Sequence, residues 1–181
     1  MKAFASLLLG LALSFFGPAA RAAPPEPAGY RMDNYHPFQV PVTVNGQPAL
    51  TTQQTADIWR DGSAVFVDVS SHPPRPEGLS PGTVWIDKPH PSIKGARWLP
   101  DVGRGALSVE TDDYFKRALA ALTDGDKSRA LVIFCKRDCW MSWNAAKRAQ
   151  SYGYARILWY SDGIEGWTEA GLPTEKVTPY P

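Results

Sequence analysis

The side chains with the most reactive chemistry are the chain's two cysteines, which fall in the string Cys135-Lys136-Arg137-Asp138-Cys139-Trp140-Met141-Ser142. A thiolate is the reactive form of cysteine, and its formation depends on nearby positive charge and hydrogen-bond donors. The string follows the apolar run Ala130-Leu-Val-Ile-Phe134, which reads as a buried parallel strand. After it, Ser142 reads as the N-cap of a helix from Trp143 to Tyr152, stopped by Gly153. Cys135 is therefore expected at the carboxyl end of a strand, facing the amides and positive dipole of a helix N-terminus. Lys136 and Arg137 push the same way and Asp138 opposes them, so the expectation is a Cys135 pKa below the ordinary thiol value. Cys135 and Cys139 are also a candidate disulfide. The ring they would close is too small to staple the unfolded chain, so a bridge here reads as a redox event. Otherwise Cys139 is a small buried residue at the base of the loop.

Three further histidines could join such chemistry. C-x3-C with a distant histidine is a spacing suited to Cu(I), and His36, His72 and His90 are the candidates. Each lies in a proline-rich stretch and reads as solvated, so no metal site is assigned and copper stays an alternative. The C-x-x-C-H pattern of c-type haem is absent. Trp140 and Trp143 beside the cysteines suggest an apolar docking patch or a shield for the sulfur. Trp85, Trp98, Trp159 and Trp167 read as core or rim.

These residues need a scaffold, and the remaining pattern supplies one. Thr51-Thr52-Gln53-Gln54 fits a capping box opening a helix to about Arg60. Ala64 to Val69 and Ala96 to Leu99 read as strands, with a small strand at Thr83 to Ile86 inside the proline-rich loop from Ser71 to Pro91. Asp112 to Leu122 shows one apolar helical face, Arg156 to Tyr160 a last strand, and Gly163 to Ala170 a short helix. Ala146 and Ala149 let the helix after the cysteines lie close to a sheet. Strands alternating with helices predict an α/β fold with a doubly wound parallel sheet.

The ends read differently. Lys2, an apolar stretch from Ala3 to Phe16, Pro18 and Ala20-Arg21-Ala22 have the form of a secretory signal over residues 1–22. The apolar stretch is short for a membrane span. Its removal takes Lys2 and Arg21 and leaves 17 basic against 18 acidic residues, a balance that gives nucleic acid or anionic membrane no electrostatic handle. Residues 23–49 form a proline-rich arm, with a short strand expected at Val40 to Val44. One domain over 50–175 and a tail over 176–181 complete the chain.

Several separate segments resemble the rhodanese-like superfamily in the right order, over about residues 50 to 175. Val67-Asp68-Val69, Ile93-Lys-Gly95-Ala96-Arg-Trp-Leu-Pro100, Val132-Ile-Phe-Cys135, Ala145-Ala146 with Gly153-Tyr154, and Asp162-Gly163 to Pro173 carry it. The resemblance implies a five-stranded parallel sheet flanked by helices and a sulfurtransferase whose cysteine becomes a persulfide. It makes Cys135 the nucleophile and sulfur carrier. Lys136, Arg137, Asp138, Cys139, Trp140, Met141 and Ser142 become the loop that cradles the sulfur. Asp68 and Asp162 match structural turns and receive no catalytic role. The family's usual glycine and arginine, three and five residues after the cysteine, are Asp138 and Trp140 here, so Lys136 and Arg137 are the candidates for the missing anion clamp. Related cysteine phosphatases need an arginine where this chain has Met141.

Cys135-x-x-x-Cys139-Trp140-Met-Ser-Trp143, with the Tyr30-Arg31-Met32 arm, further resembles exported cysteine-and-tryptophan-motif proteins associated with pyrroloquinoline-quinone (PQQ)-dependent alcohol catabolism. That implies a periplasmic or secreted accessory with no bound cofactor, a sulfur donor and a thiol acceptor as substrates, and a quinoprotein dehydrogenase or its cytochrome as partner. A non-catalytic docking module and a thiol redox or copper-handling protein are the alternatives.

Overall fold

The computed structural model describes residues 22–73, 77–80, 82–84 and 89–181. The segment read as a secretory signal, apart from Ala22, lies outside them, as do Trp85 and Ile86; Thr83 and Val84 belong to no strand.

The hairpin of β1 (Thr43–Val44) and β2 (Gln47–Pro48) comes first, followed by α1 (Thr52–Asp61) and β3 (Val65–Asp68). Next come β4 (His90–Ile93), β5 (Arg97–Trp98), α2 (Val109–Leu122) and β6 (Leu131–Phe134). The chain closes with α3 (Trp140–Ser151), β7 (Ile157–Tyr160), α4 (Gly163–Glu169) and β8 (Thr174–Val177). The capping box forms as expected: Thr51 accepts from the Gln54 amide while Gln54 reaches back to the Thr51 N–H.

The central sheet is parallel, in the order β5-β3-β6-β7. Among the described residues it has four strands rather than five. The fifth position is held by Leu50 alone, bridged to Tyr160 and donating its amide to Trp159 O at 2.7 Å. Only Ala49 and Leu50 separate the hairpin from the Thr51 cap, so no chain is left for a longer strand. The strand expected at Val40 to Val44 is shorter as well, and turns back at Asn45 and Gly46, whose φ values of 47° and 75° suit a tight hairpin turn. A separate antiparallel pair, β4 with β8, takes in His90 from the proline-rich stretch.

Side-chain alternation along β6 decides which face meets which helix. Leu131, Ile133 and Cys135 fall in one core cluster with Phe115 and Leu119 of α2 and Ala145, Ala146 and Ala149 of α3. Val132 and Phe134 fall in the other, with Ala56 of α1 and Trp167 of α4. The period of two thus carries Cys135 to the α3 side. Trp98, Trp159 and Trp167 are core residues, as their sequence context suggested.

Candidate active site

Cys135 ends the most apolar strand and is fully buried. Its position is fixed from below, because Ile164 N–H donates to Cys135 O at 2.9 Å. Gly163 permits that approach: a Cβ there would sit 2.4 Å from Cys135 O, and its φ is +57°. The turn after Cys135 passes through Asp138 at φ 51°, so the position of the family's usual glycine keeps left-handed backbone here, with aspartate tolerating it.

The helix then starts earlier than its sequence signal. Cys139, with extended backbone, is the N-cap of α3 and Trp140 its first residue. Ser142 lies inside the helix instead of capping it. Its hydroxyl donates to Cys139 O at 3.1 Å and accepts from Trp159 Nε1 at 3.0 Å. A serine hydroxyl that turns back to a carbonyl three residues earlier no longer serves as a cap. The Ser142 amide accordingly acts on both sulfurs, and those of Met141 and Lys136 on Cys139.

This changes the electrostatics of the pair. The Cys135 S–H faces Lys136 O at 3.6 Å and Cys139 O at 3.7 Å. Burial, and then hydrogen bonding and charge coupling with Cys139, push the Cys135 thiol well above its ordinary range, opposite to the expectation. The Cys139 thiol is held below its ordinary range, first by the hydrogen bond from Cys135 and then by the amides of Met141, Lys136 and Ser142, against the cost of its own burial. The two directions place the proton on Cys135 in preference to Cys139. Both are free cysteines.

The two cysteines share a cavity of about 250 Å³ with Tyr35, His36, Ser70, Ser71, Arg104, Lys136 and Met141. Its charged or chargeable lining groups other than the thiols are His36, Arg104 and Lys136. Arg137 points elsewhere. Its guanidinium binds Glu169 at 2.8 Å, its amide donates to Glu165 at 2.9 Å, and it does not line the cavity. Arg104 does line it, with Nε and Nη2 at 3.1 and 2.8 Å from Asp101 Oδ1. Asp101 also meets His72 Nδ1 at 2.6 Å.

The arm supplies one wall. Trp140 N–H donates to Tyr35 O at 2.8 Å and Phe38 N–H to Asp138 O at 2.9 Å, so residues 35–38 pair with the cysteine loop. Asn144, fully buried, accepts from Arg31 N at 2.9 Å and donates to the carbonyls of Arg31 and Gly103. Arg148 donates to the carbonyls of Val102, Arg104 and Gly105. The arm and the 102–105 loop thus hang from one face of α3. Trp140 and Trp143 are buried beneath the arm, with Arg31 stacked 5.4 Å over Trp140, so neither forms an exposed docking patch.

Sequence reasoning missed Tyr35, His36, Ser70, Ser71 and Arg104 as lining residues. The buried Asn144 and Arg148, polar side chains on a helix face otherwise made of alanine, were the available signal. Nor are all the histidines solvated. His90 stacks on Trp98 at a ring distance of 3.9 Å, with its Nε2 3.2 Å from Asp68, and His72 pairs with Asp101; His36 alone reaches the cavity. Among the described residues, no three His, Cys, Asp or Glu side chains are grouped to hold a metal ion.

The Rhodanese-like domain family model matches residues 51–170, and the chain belongs to that family. Solved structures are similar to it at low identity. A rhodanese-like domain from Anabaena is 19% identical, covering 72% of this chain and 80% of its own, with a TM-score of 0.48. A polysulfide-sulfur transferase from Wolinella succinogenes is 20% identical, covering 70% and 77%, with a TM-score of 0.43. A human single-domain sulfurtransferase is 21% identical, covering 68% and 97%, with a TM-score of 0.44. No curated protein matches the chain. The arm from Ala22 to Leu50 lies outside the family match.

Proposed function

We propose that this chain is an exported sulfurtransferase that carries sulfane sulfur on Cys135, with Cys139 as the base that frees it. The observation that carries the reading is the buried cysteine pair, with Cys135 Sγ 3.7 Å from Cys139 O, lining a cavity that also holds His36, Arg104 and Lys136. Thiosulfate is the simplest donor of that charge and size. Cys139 thiolate takes the Cys135 proton as Cys135 Sγ attacks the outer sulfur of thiosulfate. The sulfur–sulfur bond of the donor breaks and sulfite leaves with the electron pair. The products are a Cys135 persulfide anion and a neutral Cys139 thiol, so protons and charge balance. Arg104 and Lys136 hold the donor's sulfonate oxygens.

The cellular setting rests on the resemblance of the Cys139-Trp140-Met-Ser-Trp143 string. It supports a periplasmic accessory to PQQ-dependent alcohol oxidation, with a quinoprotein dehydrogenase or its cytochrome as partner. No quinone site is assigned.

Two experiments test this. Steady-state sulfur transfer from thiosulfate to a small thiol should require Cys135 and fall to background in Cys135→Ser; equal turnover in that variant would refute the carrier role. N-terminal sequencing of the protein from its producing cell should begin at Ala23, and retention of Lys2 would refute export.

A further inference from the structure

Resting on the carrier reading above, we propose that Cys139 discharges the Cys135 persulfide within the chain, releasing hydrosulfide and leaving a Cys135–Cys139 disulfide that a dithiol reductant must reopen. This makes the partner class a reducing dithiol and the product inorganic sulfide, rather than a persulfidated acceptor.

Three observations lead there. The sulfur of Cys135 is enclosed: the residue is 0% exposed, and Tyr35 and Trp140 close the arm over its loop by a backbone hydrogen bond. It is reached through the cavity of about 250 Å³ that it lines, which takes a small donor rather than a folded acceptor protein. Cys139 is already beside that sulfur, with its carbonyl 3.7 Å from Cys135 Sγ. Cys139 is 5% exposed and stands on the wall of the same cavity, through which a small dithiol reaches it.

The chemistry closes without an outside base. After loading, the pair is a Cys135 persulfide anion and a Cys139 thiol. Cys139 Sγ attacks Cys135 Sγ, and the bond from Cys135 to the terminal sulfur breaks. The Cys139 proton passes to that departing sulfur, which leaves as hydrosulfide. One sulfane sulfur is reduced and two cysteine sulfurs are oxidised. A dithiol then attacks the Cys139 sulfur of the disulfide, closes its own disulfide, and returns both cysteines to the reduced pair. Over the cycle thiosulfate and a dithiol give sulfite, hydrosulfide and the oxidised dithiol.

The test is intact-mass analysis after reduced full-length mature protein is mixed with thiosulfate, and separately with a polysulfide, without added thiol. Cys139→Ser lacks the base, so it is loaded with donor in excess at alkaline pH until uptake is complete, where it should gain one sulfur and keep it. The wild type should lose two hydrogens and retain no added sulfur, and in the thiosulfate arm release one sulfide per chain. A dithiol should restore its reduced mass. If the wild type holds its added sulfur as durably as Cys139→Ser, discharge by Cys139 is wrong while the carrier reading stands. If folded Cys139→Ser takes up no sulfur from either donor even at the alkaline pH where Cys135 ionises unaided, the carrier reading fails and this step with it. Should that variant not fold, Cys139→Ala is loaded in the same way and is held to the same outcomes.

Discussion

Trp140 N–H donates to the carbonyl of Tyr35 at 2.8 Å, which joins the first amide of α3 to the arm. A helix leaves its first amides without internal partners, and here the arm satisfies one of them. The helix start that shapes the cysteine pair and the arm that walls its cavity are therefore one structural unit.

That unit has a weak point at Asn144. Its side chain makes three hydrogen bonds, two to Arg31 and one to Gly103, from a fully buried position. Asn144→Ala leaves those backbone groups without partners, at a cost of about 3 kcal/mol. The expected outcome in limited proteolysis is early cleavage between residues 30 and 38 while the domain stays protected. Unchanged cleavage would mean that the arm is held by its other contacts.

The cysteine pair makes an asymmetric pH prediction. The depressed group is Cys139, so its thiolate persists as pH falls below the ordinary thiol range, while Cys135 stays protonated as pH rises through it. One thiolate absorbance step is expected on the acid side of a normal thiol and the second on the alkaline side. In Cys135→Ala the hydrogen bond that does most to depress Cys139 is gone, and its step should move up. In Cys139→Ala the Cys135 step should stay raised, because burial is its main cause. Activity should fall in acid as the pair takes a second proton.

Two arginines near the loop should behave differently. Arg104 lines the cavity and Arg137 is tied to Glu169. Arg104→Ala should raise the thiosulfate KM about tenfold, a loss of about 1.4 kcal/mol in donor binding, with little change in kcat. Arg137→Ala should leave KM within twofold of the wild-type value, at about 0.4 kcal/mol or less. Steady-state kinetics of the two variants side by side separate these roles, and equal effects would contradict the assignment.

Much of the framework was legible in the sequence because it is written in local signals. The capping box at Thr51, the alternation that buries Leu131 and Ile133, and the alanines of α3 are read from neighbours a few residues apart. The site was half legible. Cys135 at the end of β6 follows from the strand run, whereas the helix start does not. Ser142 has the residue type of a cap, but Tyr35 from the arm takes the Trp140 amide and lets the helix begin three residues sooner. Burial raises the Cys135 thiol, which the strand run alone does not report, so the favoured thiolate is Cys139. Arg104 and Tyr35 reach the cavity through contacts spanning more than thirty residues in sequence, and no short motif reports them. The fifth strand shrank to Leu50 for a simpler reason: the hairpin and helix cap on either side used its residues.

The most direct measurement is a single-turnover sulfite assay, with reduced protein, excess thiosulfate and no acceptor. The predicted result is a burst of one sulfite per chain from the wild type and none from Cys135→Ser. A burst of equal size from Cys135→Ser would contradict Cys135 as the sulfur carrier.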